Sequence, residues 1–71
     1  MKREDDLIYE LIFSERIEFK ICITDYIEDI YKYDRFIKKV KAILSKSNVS
    51  IIKESVEVTM NSVNWNLKVR K

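Results

Sequence analysis

The chain has neither glycine nor proline in 71 residues. These two residues normally punctuate a fold, so its turns must be made by Asn and Ser and read from changes of hydrophobic period. Their absence also removes function classes, because a glycine-rich phosphate loop cannot be built without glycine. Histidine is missing as well, which excludes His-based metal sites and catalytic triads. Cys22 is the only cysteine, so no disulfide can form within one chain. No acidic motif has the spacing that would hold a metal. The chain is expected to be no enzyme and to carry no catalytic residue, no metal and no cofactor.

Length allows one small domain over residues 1–71. A domain of this size buries only about 60% of the surface its unfolded chain exposes, and small scaffolds are usually stapled by a disulfide, a metal or a partner chain. With the first two gone, a homodimer is expected. Hydrophobic residues make up 46% of the chain, more than a helix layer on a short sheet is expected to cover. The lone cysteine, with no signal peptide and no long apolar run, points to a soluble cytoplasmic protein with no membrane partner. The net charge of +2 excludes an acidic DNA mimic and leaves nucleic acid as a possible partner.

Periodicity predicts the elements. Leu7, Ile8, Leu11 and Ile12 have helical spacing within Lys2–Ser14, with Glu4, Asp5 and Asp6 in the first turn, where the helix dipole favours acids. A strand over the same residues would set Glu10 opposite Phe19 on a buried face, which is costly. In "RIEFKICI", Ile17, Phe19, Ile21 and Ile23 alternate with Arg16, Glu18, Lys20 and Cys22, the period of a strand with one buried face. Asp25 and Glu28 suggest a capping box that starts a long helix at Tyr26, running to about Lys46. Tyr26, Ile30, Tyr33, Ile37, Val40 and Leu44 form the centre of its apolar stripe. Phe36 and Ile43 widen one side, and Ile27 and Tyr31 stand on the other. Asn48 is the candidate for the left-handed residue that ends the helix. A hairpin closes the sequence. A two-residue loop at Asn61-Ser62 sets Met60 opposite Val63 and Val58 opposite Trp65, with all the apolar positions on one side. A bulge is expected near Ile51-Ile52. The fold class is therefore α+β, in the order α-β-α-β-β, with a short first helix and one long helix packed on a three-stranded sheet. The first strand, long helix and second strand suggest a right-handed crossover.

Parity turns Trp65 inward with Val58 and Leu67, as a core residue. The other face of the sheet then carries Arg16, Glu18, Lys20, Lys53, Glu57, Lys68 and Arg70 with no aromatic ring. It reads as a solvated face, because single-stranded RNA needs rings for stacking. On the long helix, Glu28–Lys32 and Asp34–Lys38 have the i, i+4 spacing of surface ion pairs. Cys22 lacks the cationic surroundings that activate a thiol.

The element order invites two comparisons. A small Ile- and Lys-rich chain in which "RIEFKICITDYIEDIYK" leads into a long helix and a terminal hairpin resembles, over about residues 16–71, the Yopt family of small Bacillus prophage proteins. The resemblance implies a phage-derived homodimer with one helix and three strands per chain, and it brings no functional residue to this sequence. Helix, strand, helix, helix, hairpin is also the order of a winged helix-turn-helix, provided the long helix breaks near Tyr31–Asp34. Arg35, Lys38 and Lys39 would then face nucleic acid from a recognition helix. No Gly or Pro in "YKYD" supplies that break, and the hairpin tip has no basic residue. The sequence alone therefore favours a homodimeric protein-interaction or regulatory module, with Leu7, Leu11, Ile27, Tyr31, Phe36 and Ile43 as its expected interface. A winged-helix-like DNA-binding regulator is the alternative.

Overall fold

A computed structural model describes all 71 residues. Helix α1 spans Glu4–Phe13 and strand β1 spans Glu18–Cys22. Two single 3-10 turns follow, Ile23–Asp25 and Ile30–Lys32, and lead into helix α2, Tyr33–Lys46. Strands β2, Ser50–Val58, and β3, Val63–Arg70, complete the chain. The sheet is antiparallel in the order β1-β3-β2. β1 and β2 thus run parallel to each other with β3 inserted between them, so the suggested crossover does not join neighbouring strands. The α+β class and the α-β-α-β-β order hold. α1 is a second helix beyond the single one implied by the Yopt resemblance.

Both helices cover one face of the sheet. Leu7 and Leu11 of α1 and Phe36, Ile37, Val40 and Leu44 of α2 meet Phe19 and Ile21 of β1 and Val63, Trp65, Leu67 and Val69 of β3. Ile23 and Val49 complete a core of 14 residues with no buried polar residue. Trp65 is fully enclosed, as parity predicts. Ile17, expected to be buried with β1, lies just before the strand and is exposed.

The long helix does not begin at Tyr26. The capping box fails to form because Asp25 closes a 3-10 turn and pairs with Lys2 at 3.5 Å, while the Lys2 N–H donates to the Asp25 carbonyl. Asp29 instead caps the second turn by accepting from the Tyr31 N–H at 3.0 Å. The segment Tyr26–Tyr33 is rich in aromatic and β-branched residues, which lose side-chain freedom in a helix. The looser path lets Tyr26, Ile27, Ile30 and Tyr33 all pack against the core, with Tyr26 stacked on Phe36 at 5.8 Å between ring centroids. It also removes the expected Glu28–Lys32 pair, whereas Asp34–Lys38 forms at 3.1 Å within α2.

α2 ends as its sequence predicts. Asn48 has φ 61°, the only positive φ in the chain. The Val49 N–H donates to Leu44 O at 3.0 Å and the Asn48 N–H to Ser45 O at 3.4 Å. Buried Val49 and Leu44 complete this Schellman arrangement, which turns the chain directly into β2.

The hairpin register differs from the expected one by two residues. Val58 pairs with Val63, Val56 with Trp65 and Glu54 with Leu67. The tip is Met60-Asn61, closed by the Thr59 N–H donating to Ser62 O at 2.9 Å. Asn61 has no positive φ. The hydroxyls of Thr59 and Ser62 also bond each other at 3.0 Å, so side-chain bonding supports the turn in place of a left-handed residue. Parity survives the shift. The expected bulge appears as a register skip between Ile51 and Lys53.

Candidate nucleic-acid interface

α2 begins at Tyr33, directly after the Ile30–Lys32 turn. Its core face is held by Phe36, Ile37, Val40 and Leu44. At 100° per residue the opposite face is Arg35, Lys38, Ala42 and Lys46, all exposed. Arg35 and Lys46 make no ion pair within the chain, and Lys38 meets only Asp34. Fourteen residues give a rod about 21 Å long, and small Ala42 at its middle leaves the backbone approachable.

Lys39, a sequence candidate for this face, is engaged elsewhere. It sits at the edge of the face and pairs with Glu4 of α1 at 2.9 Å. The hydrogen bond and charge of Glu4 raise the Lys39 ammonium above its ordinary value of 10.5, with a smaller contribution from Asp5. Lys46 takes its place in the exposed row, a residue that helical spacing alone identifies once the helix start is known.

The expected dimer-interface set is dispersed. Leu7, Leu11 and Phe36 are buried in the chain's own core, so they offer no surface. Ile27 packs against that core and Ile43 is half-buried. Tyr31 alone of the set stands out, at 89% exposure. Exposed apolar residues lie instead on the hairpin, at Val56, Val58 and Met60, and on α1, at Tyr9 and Phe13. No side chain at the hairpin tip is basic.

Glu54 was not singled out from sequence. It faces inward beside the bulge, accepts from Trp65 Nε1–H at 3.2 Å and pairs with Lys41 of α2 at 2.7 Å. One carboxylate thereby satisfies the tryptophan and ties α2 to β2. An acid at an inward position of an alternating strand is the sequence signal for such a clasp.

Cys22 is half-buried, its Sγ 3.1 Å from Thr24 Oγ1, and no three His, Cys, Asp or Glu side chains converge. No helix is long and apolar enough to cross a membrane. Comparison with protein families, with characterised proteins and with solved structures finds no match.

Proposed function

We propose that the chain is a small DNA-binding regulator of winged-helix type, with α2 docked in the major groove. One observation carries the reading. α2 starts at Tyr33 and turns Arg35, Lys38 and Lys46 to solvent, in an element and strand order suited to a recognition helix followed by a hairpin. The sequence made this reading depend on a break of the long helix near Tyr31–Asp34; the Ile30–Lys32 turn instead runs straight into α2, and only single 3-10 turns lie between β1 and α2. A groove about 12 Å wide admits such a helix, and the three cations supply phosphate contacts that position it. In electrophoretic retardation of duplex DNA, binding weakens with salt, with a slope of roughly −0.9 per phosphate neutralised. Changing Arg35, Lys38 and Lys46 together to Ala lowers affinity about ten-fold or more at low salt and flattens that slope. Undiminished retardation by this variant sinks the reading.

A homodimer is the assembly we attach to it, through the free edge of β2. Its basis is charge complementarity. If two β2 strands pair antiparallel about Ser55, Lys53 falls opposite Glu57 of the partner subunit, and the converse pair forms by symmetry. Neither residue has an ion-pair partner within its own chain. Sedimentation of Glu57→Lys is expected to give monomer, and Lys53→Glu/Glu57→Lys to restore dimer. An 8.6 kDa species alone, at micromolar wild-type protein, rules the dimer out.

A further inference from the structure

The sheet has a second face that no helix covers. Pairing register sets Glu18, Lys68 and Lys53 in one row across it and Lys20, Asn66 and Ser55 in the next. Arg70 extends the face along β3, and Arg16 lies just before β1. None of these five cations is in an ion pair within the chain, although Arg16 rests over the Phe19 ring at 5.0 Å and the β2 pairing proposed above would engage Lys53 with Glu57 of the partner subunit. Arg16, Lys20, Lys53 and Lys68, with the acids Glu18 and Glu54, line a shallow groove of about 600 Å³.

Lys53 and Lys68 are direct cross-strand partners. Like charges opposed on one face of a ladder destabilise it; Glu18, opposite Lys68 on its other side, offsets this for Lys68, whereas Lys53 has no acid opposite it within the chain. An anion lying between them reverses the sign of that interaction. The face has no aromatic ring on which an unpaired base could stack, so the ligand chemistry it fits is the phosphate backbone of a duplex.

We infer that this outer face holds a second duplex segment, so that one molecule bridges two; the inference rests on the α2 reading. The cations of α2 point away from the sheet on the helical side, and register sets Lys20, Lys53 and Lys68 on the other face. The body measures 33 × 21 × 18 Å. Duplex DNA, with a persistence length of about 150 base pairs, cannot fold around so thin a body to reach both faces. Engaging both faces requires two segments.

The test uses one duplex on beads and a second, labelled duplex in solution. Wild-type protein captures the labelled duplex. Lys20→Ala/Lys68→Ala retards a single duplex within about two-fold of wild type but loses capture by about ten-fold, as expected when two phosphate contacts go. Trp65 fluorescence checks that this variant is folded. Glu57→Lys, which breaks the proposed β2 pairing, keeps capture, since it adds a cation to the groove face. Retardation without capture by wild type overturns the inference, as does full capture by Lys20→Ala/Lys68→Ala. Loss of capture in Glu57→Lys overturns it too and assigns bridging to the dimer. Failure of the α2 reading is seen separately, as undiminished retardation by the Arg35, Lys38 and Lys46 variant.

Discussion

β3 buries Val63, Trp65, Leu67 and Val69, every second residue along its length. β2 sets Val56 and Val58 on the same side of the same ribbon, paired with Trp65 and Val63, and leaves both exposed. The two strands share an alternating pattern and a hydrogen-bond ladder. They differ in what lies above them. α1 and α2 sit over β1 and β3, and the helical layer stops at the Lys41–Glu54 contact. Alternation reports which side a residue takes; burial depends on how far the covering layer extends.

The largest effect that sharpens this contrast is at Trp65. Trp65→Ala is expected to cost about 3–5 kcal/mol in denaturant unfolding, while Val58→Thr, an exposed change on the facing strand, stays within about 0.5 kcal/mol. A cost above about 2 kcal/mol at Val58, unchanged on dilution, would mean that β2 is covered by its own chain and would break the comparison.

Next comes the seam between the two strands. Glu54→Ala leaves the buried Trp65 N–H without its acceptor and is expected to cost about 1–3 kcal/mol. Glu54→Gln keeps the acceptor and loses only the charge for Lys41, so it should recover part of that cost. Equal losses in the two variants would show that the ion pair matters and the Trp65 bond does not.

The smallest effect lies on the covered side, where Lys39 links α2 to α1. Its pKa is raised in the fold, so its contribution is fully present below its ordinary value of 10.5 and is lost as pH rises through the higher folded value. Stability followed by denaturation in this alkaline range is expected to fall slightly more steeply for wild type than for Lys39→Met. Parallel profiles would remove any role for the Glu4 contact in holding α1.

Much of the fold was legible where local signals agreed. The α1 stripe, the period of β1, the left-handed Asn48 and the inward turn of Trp65 each follow from a spacing or a single backbone preference. The start of α2 was not legible, because Tyr26 and Ile30 satisfy helical periodicity yet reach the core from outside α2. The hairpin register escaped for a related reason. Parity is unchanged by a two-residue shift, and the Thr59–Ser62 bonds that select the tip are side-chain contacts invisible to a pattern. The expected interface failed at Leu7, Leu11 and Phe36 because apolar excess was judged against a sheet covered by one helix, whereas α1 and α2 share it. The basic row on α2 was partly legible in Arg35 and Lys38; Lys39 was misassigned because its partner Glu4 lies on a different helix.

The central position of β3 has a consequence for how the protein is made. β1 and β2 have no strand partner within the chain but β3, and β3 is synthesised after both. On the ribosome the earlier elements must wait with their apolar residues exposed until Val63–Arg70 emerges. Sheet formation therefore waits for β3 and is governed by contacts between distant parts of the chain. A premature stop before Val63 leaves no smaller native unit, only a fragment suited to degradation.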